Sequence, residues 1–216
     1  MAVDTEKRLA AEAAASLVEE GMVVGLGTGS TVAFLLPALA ERELDLRCVA
    51  TSVATETAAR ELGLSVESFA GADAVPQLDL AIDGADQVAP SGWLVKGGGA
   101  AHTREKAVAA AAERFVVVVS SEKLVEELAP PVPLELLEFG LAATLQRLGE
   151  VRLRDVPRSP DGGVIADYTG GFEDPQELAD RFATTVGVVE HGLFPPALVS
   201  DVIVARGEEV EIRSLT

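Results

Sequence analysis

Short apolar runs alternate with helix-like patterns along the first 120 residues, and this alternation constrains the fold more than any other feature. Apolar runs predict strands at 22–26, 48–51, 65–68, 78–83 and 115–119. Helical spacing of apolar residues predicts helices at 9–18, 31–42, 55–62 and 104–114. Strands and helices that alternate in this way form a parallel sheet with helices on both faces. The sequence therefore predicts an α/β fold.

The cluster Pro130-Pro131-Val132-Pro133 interrupts this alternation and marks a predicted boundary. We expect a large domain over 1–128 and a smaller α+β domain over 129–198. The smaller domain is predicted to contain helices at 136–148 and 175–183 and strands at 151–153, 164–168 and 186–190. An apolar run at 202–205 predicts a strand that returns residues 199–216 to the large sheet.

Charge and composition limit the partners of the chain. A net charge of −18 disfavours nucleic acid or an anionic membrane as the main partner, because both would be repelled at long range. An anionic substrate would need a local cationic pocket. The charge-free segment between Glu20 and Glu41 has the length of a membrane span, but its centre is the polar stretch 27–31, so we reject that interpretation. A single cysteine, Cys48, and no recognisable signal peptide lead us to expect a cytoplasmic protein.

A glycine-rich turn, Gly25-Leu26-Gly27-Thr28-Gly29-Ser30-Thr31, joins the first predicted strand to a helix. Such a turn directs backbone N–H groups and hydroxyls at an anion. No Gly-Lys-Ser/Thr follows, and Ser30 stands where a dinucleotide-binding turn has its third glycine, so a phosphate monoester fits better than ATP or NAD. A tight turn with Ser or Thr as a helix cap explains the same spacing without any ligand.

Two further loops bring charged residues beside glycines. Asp83-Gly84-Ala85-Asp86 follows an apolar strand, so both carboxylates are expected at the carboxyl end of a parallel strand, where open α/β sheets bind ligands. Lys96 precedes three glycines, with Thr103 as the expected N-cap of the next helix and Glu105 in its first turn. Each loop alone is explained by turn formation and the helix dipole. Their convergence at one sheet edge favours an active site.

The histidines do not indicate a metal site. His102 and His191 share no ligand spacing with each other or with Cys48, so we expect no metal. We expect a solvated or locally bonded side chain for His102. Trp93 and Tyr168 are too few and too scattered for base stacking, and we expect them to pack in the core.

The chain resembles the type A ribose-5-phosphate isomerases in Gly-Thr-Gly-Ser-Thr at 27–31, Asp-Gly-Ala-Asp at 83–86, and Lys-Gly-Gly-Gly-Ala-Ala through Thr-Arg-Glu-Lys at 96–106. The resemblance implies a Rossmann-like three-layer αβα domain with a mostly parallel sheet, and a smaller α+β domain beside it. It implies interconversion of ribose 5-phosphate and ribulose 5-phosphate without a cofactor. It also implies a homodimer or a dimer of dimers.

The resemblance further implies roles for individual residues. Glu105 would carry the proton from C2 to C1, Asp83 would take part in ring opening, and Lys96 with Asp86 would polarise the substrate. The implied substrate-binding residues are Thr28, Gly29, Ser30, Thr31, Gly84, Ala85, Gly97, Gly98, Gly99 and Lys123. Which end of the sugar each of them contacts is left open.

Two alternatives belong to other functional classes. A non-catalytic sugar-phosphate sensor of similar fold would carry a helix-turn-helix and a basic face, and it has no need for Glu105 together with Lys96. An acyl-CoA transferase of related fold would carry a nucleophilic glutamate motif, which is not evident here.

Overall fold

The structure is a computed structural model that describes residues 2–215. Its helices are α1 (Ala2–Ala15), α2 (Val32–Ala40), α3 (Val53–Glu61), α4 (His102–Ala111), α5 (Leu141–Leu148) and α6 (Pro175–Thr184). Its strands are β1 (Val23–Leu26), β2 (Arg47–Ala50), β3 (Val66–Glu67), β4 (Leu78–Asp83), β5 (Gln87–Val88), β6 (Leu94–Val95), β7 (Ala112–Ser120), β8 (Val132–Leu136), β9 (Val151–Leu153), β10 (Val164–Tyr168), β11 (Val188–His191), β12 (Leu193–Phe194), β13 (Asp201–Arg206) and β14 (Glu209–Ser214).

A seven-stranded sheet forms the centre of the molecule, in the order β14-β13-β7-β4-β1-β2-β3. All neighbouring strands pair in parallel except β13 with β14. Strands in its middle are apolar and buried along most of their length, as expected where helices cover both faces of a sheet. One face packs against α1 and α2, and the other packs against Val108 and Ala109 of α4. The α/β fold with a mostly parallel central sheet is therefore confirmed.

The segment between β7 and β13 builds a second, antiparallel sheet in the order β11-β8-β10-β9. Its apolar face is covered by α5 and α6, whose Leu148 and Phe182 are fully buried. A small three-stranded sheet, β12-β6-β5, pairs Leu193 with Val95 and connects the two units. Trp93 and Tyr168 pack in the same apolar cluster, as predicted.

Several predicted elements need correction. The helix predicted over 136–148 is wrong at its start, because 132–136 is the fully buried strand β8 and the helix begins only at Leu141. The helix predicted over 104–114 ends at Ala111, and the chain continues directly into β7. Strands β5, β6, β12 and β14 were not predicted. No helix within 2–215 is long and apolar enough to cross a membrane.

Candidate active site

A cleft of about 110 Å³ opens where the loops after β1, β4 and β6 meet. Its walls are Lys7, Thr28, Gly29, Ser30, Thr31, Gly84, Ala85, Asp86, Lys96, Gly97, Gly98, Gly99, Glu105 and Lys123. Every residue that the resemblance implies for catalysis or substrate binding thus lines this cleft, except Asp83, which contacts the cleft residues Thr28 and Lys96. Parallel strands end on the same edge of the sheet, so loops far apart in sequence converge there.

The turn after β1 is fixed by its contact with Asp83. A Cβ on Gly27 would lie 2.0 Å from the Asp83 Cγ, so only glycine allows this approach. Thr28 donates its backbone N–H to Asp83 Oδ1 at 3.0 Å. Its hydroxyl lies 2.7 Å from the Thr51 hydroxyl. Gly29, at φ +126°, then turns the chain toward α2.

Three buried charged groups meet at the floor of the cleft. Lys96 Nζ donates to Asp83 Oδ2 at 2.9 Å and lies 3.2 Å from Glu105 Oε2. The contact with Glu105 is an ion pair without hydrogen-bond angles, and Oε2 has no other partner within the described residues. Asp83, Lys96 and Glu105 are each less than 5% exposed. One ammonium group therefore serves two carboxylates, and the cluster carries a net negative charge when all three are ionised.

Burial and charge shift the pKa values of this cluster. Burial raises the pKa of Glu105 to about 7, and the neighbouring Asp83 charge adds to the effect while Lys96 opposes it. Burial also raises the pKa of Asp83, again against the influence of Lys96. Burial lowers the pKa of Lys96, but the two carboxylates outweigh it and the net shift is upward. Lys96 therefore stays protonated, while Glu105 is placed to exchange a proton near neutral pH.

The triglycine loop forms the opposite wall. Gly98 donates its N–H to Asp86 Oδ2 at 2.7 Å, and a Cβ at position 98 would lie 2.7 Å from Asp86 Oδ1. Gly97 has φ +104° and packs against the ring of His102. Gly98 and Gly99 are exposed to the cleft, so their backbone is accessible to a ligand.

Comparison with known proteins agrees with this geometry. The family model for ribose 5-phosphate isomerase A (phosphoriboisomerase A) matches residues 47–209. The ribose-5-phosphate isomerase A of Caulobacter sp. (strain K31) is 47% identical over 209 residues, covering 90% of this chain and 91% of its own. The chain belongs to the ribose 5-phosphate isomerase A family. It is therefore an isomerase, as the resemblance implied.

Solved structures of family members have the same fold. Ribose 5-phosphate isomerase A from Neisseria gonorrhoeae superposes with a TM-score of 0.93 at 31% identity, covering 100% of this chain and 99% of that one. A D-ribose-5-phosphate isomerase in complex with phospho-erythronic acid superposes with a TM-score of 0.91 at 34% identity, covering 99% of this chain and 100% of that one. A second family model, the DeoR C-terminal sensor domain, matches only residues 3–72, which end before Asp83, Lys96 and Glu105.

Lys7 is a cleft residue that the sequence did not reveal. Helix α1 carries it into the wall that also holds Lys123. The preceding residue, Glu6, is buried and accepts the N–H and hydroxyl of Ser121 at 2.8 and 2.9 Å and the N–H of Gly207 at 2.8 Å. These bonds attach α1 to the turn that carries Lys123. No local motif marks Lys7, because only the packing of α1 brings it to the site.

Two predictions near this site in the isomerase are wrong. Thr103 does not cap α4; the helix begins at His102, and the Thr103 hydroxyl donates to the buried carboxylate of Glu135. His102 is not solvated, since its ring is fully buried behind Gly97 and neither ring nitrogen makes a hydrogen bond of normal geometry within the described residues. Burial lowers the pKa of His102 to about 4, aided by the charge of Lys106, so the ring is neutral at pH 7.

Proposed function

We propose that this family member interconverts D-ribose 5-phosphate and D-ribulose 5-phosphate through an enediolate, with Glu105 as the base that moves the proton between C2 and C1. One observation carries the assignment. The Glu105 carboxylate lines the cleft, is buried beside Lys96, and has a pKa of about 7. A base with a pKa near the working pH is the most effective proton carrier.

In the proposed isomerisation, Glu105 transfers the proton, and Lys96 and the triglycine loop stabilise the negative charge. Glu105 removes the C2 proton of the open-chain aldose, and negative charge develops on the oxygens at C1 and C2. The ammonium group of Lys96 and the N–H groups of the triglycine loop compensate that charge in a site largely shielded from water. Glu105 then returns the proton to C1. Because one carboxylate carries the proton both ways, the reaction draws on no redox cofactor.

Ring opening must precede the proton transfer, since ribose 5-phosphate is mostly a furanose. We propose that Asp83 takes part through Lys96, with which it shares a hydrogen bond at 2.9 Å. Asp86 lines the cleft itself and anchors the Gly98 N–H, so we propose that it polarises the substrate and fixes the loop. Gly84 and Ala85, between the two aspartates, supply backbone against which the sugar lies.

We propose that the phosphate binds at the end of the cleft formed by the start of α2. Ser30 and Thr31 precede this helix, and its N-terminus favours an anion. Lys7 and Lys123 line the same cleft and provide the local positive charge that a chain of net charge −18 must supply for an anionic substrate. Thr28 and Gly29 then lie between the phosphate and the reacting carbons. Holding the remote phosphate positions C1 and C2 for Glu105.

The test is an assay of ribulose 5-phosphate formation by the wild type, Glu105→Gln and a control, Glu61→Gln, on the surface of α3. We expect Glu105→Gln to lower kcat by about a thousandfold, the scale for removing an essential base, and Glu61→Gln to have no effect. Reaction in D₂O should give product with deuterium at C1, because a carboxylate proton exchanges with solvent. Near-normal turnover by Glu105→Gln would contradict the mechanism.

The sensor alternative lacks support. Its family model stops at residue 72, whereas the isomerases match across Lys96 and Glu105. Binding of ribose 5-phosphate without turnover by the wild type would be the result expected of a sensor.

We also propose a domain division into 1–128 with 199–216 and 129–198, supported by an antiparallel sheet built entirely from 132–191. We propose that the enzyme works as a homodimer or a dimer of dimers, in the cytoplasm, in the pentose phosphate pathway. The substrate pair supports the pathway, and light scattering at micromolar concentration tests the assembly.

A further inference from the structure

Arg154 links the antiparallel sheet to the triglycine wall of the active site. It follows β9, and its backbone N–H donates to Ile165 O at 3.0 Å, which continues the pairing with β10. One of its guanidinium nitrogens, Nη1, donates to Gly97 O at 2.8 Å and to Gly98 O at 3.2 Å. A side chain from the second unit therefore holds two successive carbonyls of the substrate-binding loop, 57 residues away in sequence.

Asp167 fixes this arginine in place. Its two carboxylate oxygens accept from Arg154 Nε at 2.8 Å and from Nη2 at 2.6 Å. The side chains of the pair are only 16% and 18% exposed. A guanidinium can bind a carboxylate along one edge and still present another nitrogen to a carbonyl, whereas the ammonium group of lysine has no such fixed arrangement of donors. The Arg154–Asp167 pair is thus a rigid clamp on the loop.

The clamp determines where the loop amides point. In a planar trans peptide the C=O and N–H point in opposite directions. Holding the Gly97 carbonyl toward Arg154 directs the Gly98 N–H the other way, where it meets Asp86 at 2.7 Å. Holding the Gly98 carbonyl toward Arg154 in the same way directs the Gly99 N–H to the cleft side. Gly99 faces that side, since a Cβ on it would lie 3.7 Å from a side-chain carbon of Thr28.

The glycines need such an anchor. Three consecutive glycines have greater backbone freedom than any other tripeptide, and the loop adopts unusual geometry, with φ +104° at Gly97 and +60° at Ala100. The Ala100 N–H closes the turn on Gly97 O at 3.0 Å. Apart from that bond and the Gly98 contact with Asp86, the loop backbone is held from outside by Arg154. An amide that stabilises developing charge must be oriented before the reaction begins.

We propose that Arg154, held by Asp167, is a positioning residue for the isomerisation: it holds the triglycine loop so that the Gly98 N–H stays on Asp86 and the Gly99 N–H is oriented toward the enediolate, without touching the substrate itself. This inference rests on the proposed function, since it assigns the Gly99 amide to the transition state of that reaction. Loss of the clamp should therefore lower turnover and leave binding of the phosphate end intact.

The experiment compares Arg154→Gln, Arg154→Lys and Asp167→Asn with the wild type. A matched control is Arg104→Gln. This variant removes another bidentate pair, between Arg104 and Asp161, in which both bonds are 2.7 Å long. That pair links α4 to the second unit but does not hold the triglycine loop. The measurements are kcat and KM for ribose 5-phosphate, the inhibition constant of inorganic phosphate, and the melting temperature.

We expect Arg154→Gln to lower kcat by about tenfold or more, less than the hundredfold or greater loss from deleting a charge-stabilising donor outright. Arg154→Lys and Asp167→Asn should lie between it and the wild type. Inhibition by phosphate should be unchanged in all variants, and Arg104→Gln should retain wild-type kcat within about twofold.

Four results would each overturn the inference. They are an unchanged kcat in Arg154→Gln, an equal loss of kcat in Arg104→Gln, full activity in Arg154→Lys, and a loss of phosphate inhibition that parallels the loss of kcat. If Arg154→Gln does not fold, Asp167→Asn decides by the same criteria, because it keeps the arginine and removes only its anchor. A wild type without isomerase activity would refute the proposed function instead, so the two failures are distinguishable.

Discussion

The burial of Glu105 and its proposed role as the base together predict loss of activity at acid pH. Its pKa of about 7 means that about 1% of the groups are ionised at pH 5, whereas a carboxyl group with the ordinary value of 4.5 would be about three-quarters ionised. If Glu105 is the base, kcat/KM falls about 100-fold between its plateau and pH 5. A base with the ordinary carboxyl pKa would give a fall of less than about twofold over the same range. The acid limb should have a slope of one, as expected for a single essential ionisation.

Initial rates between pH 5 and pH 9 measure this effect. The substrate phosphate also titrates, with a second pKa of about 6, and this affects kcat/KM. The value of kcat reports groups of the enzyme–substrate complex, so an acid limb must appear in kcat as well if Glu105 is responsible. A kcat that stays flat down to about pH 5 would refute the argument that burial holds Glu105 protonated at that pH.

Unfolding gives an independent measure of the same ionisation. Folded Glu105 binds its proton more tightly than unfolded Glu105, so its contribution to stability is fully present below pH 4.5 and is lost as the pH rises to about 7. The difference between the two pKa values corresponds to about 3 kcal/mol. Urea unfolding measures this for the wild type and Glu105→Gln at pH 4.5 and pH 8. Between these two pH values, the free energy of unfolding of the wild type should fall by about 3 kcal/mol relative to that of the variant. If the difference in unfolding free energy between the two proteins is the same at both pH values, or changes in the opposite direction, the raised pKa of Glu105 is contradicted.

Three further predictions concern the substrate phosphate, metals and salt. Lys123→Ala should raise KM about tenfold with kcat nearly unchanged, and a fall in kcat alone would move Lys123 to the chemical step. Treatment with EDTA should leave activity intact, and recovery only after adding a divalent metal would refute the metal-free mechanism. The melting temperature should rise from low salt to about 1 M KCl, where the Debye length is about 3 Å, because exposed acids such as Glu41, Glu43 and Glu127 repel one another. An unchanged or lower melting temperature would show that these charges are already compensated.

The parallel sheet was predictable because its strands are buried on both faces and appear as continuous apolar runs. The predicted strand at 115–119 lies inside β7, and the predicted strand at 78–83 coincides with β4. Strand β8 was missed because the buried run 132–136 contains Pro133 and is followed closely by the leucines of α5, which extend the helical pattern backward. The short strands β5, β6 and β12 have two residues each, too few for a periodicity to appear. Strand β14 had a local signal, the alternating Val210 and Ile212 after a turn at Gly207.

The site was predictable to the extent that its residues lie in loops at strand ends. Glycines and charges adjacent in sequence indicated the turn after β1, the paired aspartates and the Lys96 loop. Lys7 and Arg154 carry no such local signal, because α1 brings one to the cleft and the second sheet brings the other. His102 was misjudged for a similar reason: its neighbours in sequence are polar or small, but the packing of α4 behind Gly97 encloses its ring.

Hydrogen bonding distinguishes the two buried carboxylates, Asp83 and Glu105, and supports the proposal that Glu105 is the one that exchanges a proton. Both are buried beside Lys96, and burial raises the pKa of both. Asp83 Oδ1 accepts the N–H groups of Thr28 and Gly84 at 3.0 and 2.7 Å, and its Oδ2 accepts from Lys96 at 2.9 Å. These donors stabilise its charged form, whereas Glu105 Oε2 has, among residues 2–215, only the ion pair with Lys96. The donors therefore favour the ionised form of Asp83 more than that of Glu105. The bonds that fix the turn at Gly27 thus also support Glu105, rather than Asp83, as the proposed base.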